Sequence, residues 1–171
     1  MSFILSDAEI AAAILDRKGI TRSQLRSLKD PKRLTARGDL ARQISILGRS
    51  RRHYFITARR NVNRPLGFSV ILSSVWHGKR LNIIRCNGQQ KGHHTNWLEK
   101  RAGAGVRAIP PYTFHVHQLT ERYQPERPEH YAEPTNDYSS FESAVEYLCS
   151  NYGIVLDKDG YETLYPLFGN L

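Results

Sequence analysis

Two long apolar segments lie back to back near the middle of this sequence, with only His77-Gly78 between them. Residues 67–77 (GFSVILSSVWH) read as a buried strand and residues 79–86 (KRLNIIRC) as its partner. A short link ending in glycine suits a tight hairpin turn, so the pair predicts the centre of an antiparallel sheet. Segments 51–60 (RRHYFITARR) and 112–119 (YTFHVHQL) are rich in aromatic and β-branched residues and read as further strands. Ile154–Leu156 adds a last short strand before a turn at Asp157–Gly160. Residues 87–110 and 124–137 carry the Gly, Pro and polar residues of long loops.

Before Gly48 the pattern is helical. Ser6 and Glu9 form a capping box with Leu5 and Ile10 as its staple, and the helix is expected to stop at Gly19. Thr21 with Gln24, and Ile20 with Leu25, repeat the arrangement for a short second helix that ends before Asp30-Pro31. A third helix is expected over Leu40–Leu47. Ser139 and Glu142 cap a final helix whose inner face is Phe141, Ala144, Val145 and Leu148, closed by Gly153. The order predicts one α+β domain over residues 1–171. It has a basic helical segment (1–48), then an antiparallel sheet of four or five strands with a C-terminal helix packed on it (49–171). Val70, Leu72, Ile83, Phe114, Val116, Phe141, Val145 and Leu148 form the expected core.

The chain has 171 residues, 25 Lys plus Arg against 16 Asp plus Glu, and a formal charge of +9. That charge is unevenly spread. Residues 17–60 hold fourteen bases against Asp30 and Asp39, a net +12, whereas residues 111–171 hold three bases and ten acids, a net −7. A basic block of this density attracts polyanions by neutralising phosphates and releasing counterions. An acidic protein would fit the same charge. No apolar run approaches a bilayer-spanning length, so a soluble, cytoplasmic protein without membrane contact is expected. Cys86 and Cys149 are isolated, which argues against a disulfide framework and a cysteine-rich zinc site. No P-loop, G-x-G-x-x-G or G-x-S-x-G motif occurs, so P-loop hydrolysis, dinucleotide redox and serine hydrolysis have no support.

The most informative motif is His115-Val116-His117. Residues two apart on a strand share a face, so both imidazoles point one way while Phe114 and Val116 face the core. Two imidazoles together can supply a base and an acid near neutral pH. His115 and His117 are therefore the candidate proton-transfer pair of a metal-independent RNA cleavage. Arg122 is the candidate for stabilising the crowded phosphate, and Tyr123 for orienting a base. His94 and Asn96, with Asn87 and Arg85, are the candidate substrate contacts around a glycine-flanked loop. Arg22, Arg26, Arg51, Arg52, Arg59 and Arg60 are the candidate nucleic-acid contacts. Two rival readings exist. His115, His117 and one of His93 or His94 could form a His₃ zinc site, although no accompanying motif supports it. Residues 6–29 could form a helix-turn-helix, although Lys18 falls where an apolar residue is expected.

The order Arg85-Cys-Asn-Gly, His94-Thr-Asn96, His115-Val-His117, Thr120-Glu-Arg-Tyr123 and Tyr138-Ser-Ser-Phe-Glu142 resembles an uncharacterised family of small bacterial proteins. These are found near prophage and mobile-element genes, and the similarity spans about residues 68–155. The resemblance implies a genomic context but no activity. The architecture is also similar to that of small ribonuclease toxins. The expected function is thus a nucleic-acid-directed protein, RNA favoured over DNA, acting as a cofactor-free endoribonuclease of toxin type. The expected partners are an antitoxin or a host protein, with a homodimer left open. The alternatives are a non-catalytic phage protein that inhibits a nucleic-acid-handling complex, and a helix-turn-helix regulator.

Overall fold

The computed structural model describes residues 3–157. Four helices, α1 (Asp7–Leu15), α2 (Arg22–Lys29), α3 (Trp97–Ala102) and α4 (Phe141–Asn151), accompany eleven strands. The strands are β1 (Lys18–Ile20), β2 (Arg33–Leu34), β3 (Asp39–Leu47), β4 (His53–Asn61), β5 (Phe68–Trp76), β6 (Lys79–Asn87), β7 (His94–Thr95), β8 (Ala108–Ile109), β9 (His115–Gln118), β10 (Ala132–Pro134) and β11 (Ile154–Leu156). Seven of them form one antiparallel sheet in the order β10-β9-β6-β5-β4-β3-β2. Two small pairs, β1 parallel to β11 and β7 antiparallel to β8, complete the fold. The α+β class is as expected, and the sheet is larger than four or five strands. Among the described residues no helix is long and apolar enough to cross a membrane.

The β5–β6 hairpin forms as predicted, with His77 and Gly78 both at positive φ, 47° and 76°. That backbone matches the right-handed twist of the flanking strands. Both N-terminal capping boxes, Ser6 with Glu9 and Thr21 with Gln24, are present. Val70, Leu72, Ile83, Phe141, Val145 and Leu148 are buried, while Phe114 and Val116 are half-buried against the same core. At α4 the cap falls one residue later than expected. Ser140 is the N-cap and Ser143 makes the reciprocal bond to its amide, so Ser139 and Glu142 are not the pair.

Leu40–Leu47 is a strand rather than a third helix. Ile44 and Ile46 alternate with Gln43 and Ser45, and the whole segment pairs with β4 from Asp39↔Asn61 to Leu47↔His53. β-Branched residues at a spacing of two favour the pleat once a partner strand is available. The boundary expected at residue 48 therefore cuts through the sheet. Gly48 ends a strand, where a Cβ would sit 2.1 Å from Asp16 Oδ2 and 2.6 Å from Tyr54 Cε2. The presumed loops also carry structure, since residues 87–110 contain β7, α3 and β8 and residues 124–137 contain β10. The turn expected after Asp157 lies outside the described residues.

The two N-terminal helices are joined through a short strand that begins at Lys18. Helix α1 ends at Leu15, and Gly19 lies inside β1 rather than after a helix. Lys18 is fully buried, and its ammonium donates to the carbonyls of Ile14 (3.0 Å), Asp16 (2.6 Å) and Tyr152 (3.1 Å). It thereby satisfies carbonyls orphaned at the end of α1. Burial pulls its pKa down to about 8, and the nearby Asp16 carboxylate opposes that shift. A largely buried strand thus replaces the turn expected between the two helices.

Candidate functional site

The sheet has two unlike faces because side chains alternate along each strand. Ile44, Ile56, Val70, Leu72, Ile84 and Cys86 belong to the core shared with the helices. The opposite parity carries polar residues, and the strand register aligns them in rows. One row runs Arg59, Ser69, Asn87, His115 across β4, β5, β6 and β9. The next runs Gln43, Thr57, Ile71, Arg85, His117 from β3 to β9. A bulge at Ile83, where Leu72 pairs with Ile84 but Ser73 with Asn82, keeps Asn82 on this face together with Arg85.

Over the β6–β9 end of this face stand the β7–α3–β8 segment and the stretch from Glu121 to Tyr131. They enclose a cavity of about 660 Å³ whose lining includes Arg85, His94, His115, His117, Arg127 and His130. Ring centroids of His94 lie 5.9, 4.8 and 4.9 Å from those of His115, His117 and His130. Four imidazoles therefore cluster here, two more than the sequence motif announces. His130 was missed because only loop closure brings it to the strand pair.

The hydrogen bonds determine which ring nitrogens are available. His115 Nδ1–H donates to Thr113 O (2.8 Å), and its Nε2 faces Asn87 Nδ2 (3.2 Å), a donor. Both nitrogens of His115 are therefore occupied. His117 Nδ1–H donates to Glu129 O (2.8 Å), which leaves Nε2 as a lone pair on the cavity. His94 Nε2–H donates to His130 O (2.7 Å) and lies 3.1 Å from Asn96 Oδ1, leaving Nδ1 as its spare nitrogen. In the expected His115–His117 couple only His117 keeps an unbonded ring nitrogen, and His94 keeps one as well.

Electrostatics follow from burial. His115 and His117 are only 4% and 6% exposed. Burial, then the Arg85 charge and His115, pull the pKa of His117 down to about 2. Burial also lowers His115 and His130. The pair is neutral in the folded state near neutral pH, not poised to titrate as the strand motif suggests. An unfolded chain takes up these protons below pH 6.5, whereas the folded chain does not. Stability is therefore expected to be fully present above about pH 6.5 and to fall as the pH drops below it. His117 alone contributes a slope of up to about 1.4 kcal/mol per pH unit. Urea unfolding between pH 8 and 4.5 measures this, and a flat profile down to pH 5 would contradict neutral burial.

Other expected site residues are placed as follows. Asn87 and Arg85 line the cavity. Arg85 lies 3.5 Å from Glu129 Oε2, while Asn82 Nδ2 donates to Glu129 Oε1 at 2.7 Å. Asn96 is fully buried and does not lie at a loop tip. Its amide donates to Val106 O and Ala132 O, both at 2.7 Å, and its Oδ1 accepts from Ala132 N at 3.0 Å. Its Oδ1 also lies 3.1 Å from His94 Nε2, and Asn96 does not line the cavity. Arg122 pairs with Glu99 at 2.9 Å and Tyr123 hydrogen-bonds the same carboxylate, and neither lines the cavity. The arginines that line the cavity are Arg85 and Arg127. Beside the cavity, sharing Glu126, Arg127 and His130 with it, is a hollow of about 270 Å³ lined by Trp97. Trp97 is 43% exposed, whereas Tyr123, which lines the same hollow, is buried.

The six expected nucleic-acid arginines separate. Arg22 and Arg26 are exposed on α2, which contacts β3, β4 and α4. Arg51 lies in the β3–β4 turn, and Arg52 stacks on Trp76, its guanidinium 3.4 Å from the ring centroid. Arg60 has the core parity and pairs with Asp30 (3.7 Å) and Glu142 (3.6 Å). Arg59 alone of the six projects from the polar face. Among the described residues no group of three His, Cys, Asp or Glu side chains is arranged to hold a metal ion, although the rings of His94, His115 and His117 are neighbours. In comparison with known proteins the chain matches no family model, no curated protein and no solved structure.

Proposed function

We propose that this chain is an endoribonuclease of toxin type acting in the cytoplasm, with the imidazole cavity as its active site. The observation that carries the reading is the spare Nε2 of buried His117, facing one cavity with the guanidinium groups of Arg85 and Arg127. Cleavage of RNA needs a base for the 2′-hydroxyl proton, an acid for the departing 5′-oxygen and a cation at the phosphate. His117 Nε2 takes the 2′-hydroxyl proton as the 2′-oxygen bonds to phosphorus. The bond from phosphorus to the 5′-oxygen breaks, and His94, protonated on Nδ1, gives that oxygen its proton. The products end in a 2′,3′-cyclic phosphate and a 5′-hydroxyl. After burial, the Arg85 charge is the next cause of the low proton affinity of His117. A phosphate on Arg85 offsets that field and raises the affinity when substrate is present. Trp97 beside the cavity supplies a face for an unpaired base.

The test uses the purified full chain with single-stranded RNA and DNA of one sequence, in chelator, over a salt series. The RNA is expected to be cut to cyclic-phosphate ends, more slowly as salt rises, with the DNA intact because it lacks the nucleophile. Equal cleavage of DNA would overturn the mechanism. Tight binding of RNA that stays intact would favour the non-catalytic inhibitor instead.

A further inference from the structure

The imidazole cavity is not closed toward the centre of the sheet. A second cavity of about 400 Å³ continues it, sharing Arg85, Asn87, Gln90 and Gly92 with the first. Its far wall carries Arg59 from β4, Arg64 from the β4–β5 connection and Lys91 from the segment after β6. In the row Arg59, Ser69, Asn87, His115 the two ends are three strand spacings apart, roughly 14 Å at about 4.8 Å per strand. The trough is therefore longer than a site for one phosphate requires.

The charge along it is unbalanced. Arg59, Arg64 and Lys91 are exposed, and none has an ion-pair partner among the described residues. Arg60, the next residue along β4, is by contrast neutralised by Asp30 and Glu142. Of the residues lining the second cavity only Asp39 is acidic, and its carboxylate accepts a hydrogen bond from Asn61 (3.0 Å). Clustered cations repel one another, and an anion relieves that cost. Ser69, Gln89 and Gln90 add neutral side chains able to donate to anionic oxygens.

We propose that Arg59, Arg64 and Lys91 form a subsite for a non-scissile phosphate of the RNA strand whose scissile phosphate lies at Arg85 and His117. This rests on the ribonuclease reading of the imidazole cavity. A minimal substrate then extends past the cleaved linkage on one side, and that extra phosphate supplies binding rather than chemistry.

The experiment measures binding apart from cleavage. Short oligonucleotides with 2′-O-methyl riboses, which cannot be cleaved this way, are compared with and without a 5′- or 3′-terminal phosphate by fluorescence anisotropy. One of the two terminal phosphates is expected to tighten binding to the wild-type chain by about tenfold at low salt and to steepen its salt dependence. In the double variant Arg59→Gln with Arg64→Gln, and in Lys91→Gln, that gain should largely disappear, with thermal midpoints confirming that the variants fold. Indifference of the wild-type chain to both terminal phosphates would overturn the subsite even if RNA is cleaved. A phosphate gain lost in the variants, in a protein that cuts no RNA, would leave the subsite standing and remove the ribonuclease reading. Displacement of the oligonucleotide by polyglutamate at equal charge concentration would assign the patch to an acidic protein and overturn the proposal.

Discussion

Replacing His117 with Asn is expected to lower RNA cleavage by about 10²–10⁴-fold, the usual contribution of a positioned proton-transfer group. The substitution is chosen from the hydrogen bonds. An Asn amide can still donate to Glu129 O, as Nδ1–H does at 2.8 Å, but it presents no basic nitrogen where Nε2 lies. The loop holding Glu129 therefore keeps its anchor while the base is lost. Affinity for a non-cleavable RNA should fall by much less than the rate, because Arg85 and Arg127 remain. The acid-induced loss of stability should also become shallower in this variant, since the buried imidazole that resists protonation is gone. Rates within a few-fold of wild type would assign His117 to the frame and remove it from the chemistry. His115→Asn offers the contrast. With both ring nitrogens of His115 already bonded, its effect should be on stability and on the placement of Asn87.

The second large effect is expected at Asn96, which is fully buried and does not line the cavity. Its side chain joins Val106, Ala132 and His94, and so ties the α3 segment and β10 together around the cavity. Asn96→Ala leaves buried backbone donors and acceptors without partners, at a cost of about 2–4 kcal/mol. For a chain of this size that is roughly 5–15 °C in thermal midpoint. Asn96→Asp keeps both acceptor functions and loses the two donors to Val106 O and Ala132 O, so it should be nearly as damaging. Cleavage by the folded fraction of Asn96→Ala should fall as well, because His94 loses the oxygen that orients it. A midpoint within about 2 °C of wild type would show that the loops are held by other means.

Local chemistry in the sequence carried much of the fold. The Ser6 and Thr21 capping boxes, the His77-Gly78 turn and the apolar stripe of α4 all depend on neighbours a few residues away, and each forms. Leu40–Leu47 departs from expectation because its strand state is stabilised by pairing with β4, a contact no short window contains. Lys18 departs for a related reason. Its charge marks it as a surface residue until three carbonyls, one of them on Tyr152, converge on the ammonium. The candidate site shows the same division. His115 and His117 were legible as a same-face pair, and their β9 placement follows from strand alternation.

What the sequence determined by itself is the α+β class, the central hairpin, the two N-terminal caps and the presence of a histidine pair on one strand face. Periodicity and capping are local, so they are written in adjacent residues. The tertiary structure decided that His94 and His130 join that pair and that His117 and His94, not His115, keep a ring nitrogen free. It also turned Arg59 and Arg85 to the polar face and tied Arg60 and Arg122 to carboxylates. These outcomes depend on strand register and on loops folding back over the sheet. Register couples residues far apart in the chain, and a ring nitrogen is free or occupied only according to what the fold places beside it.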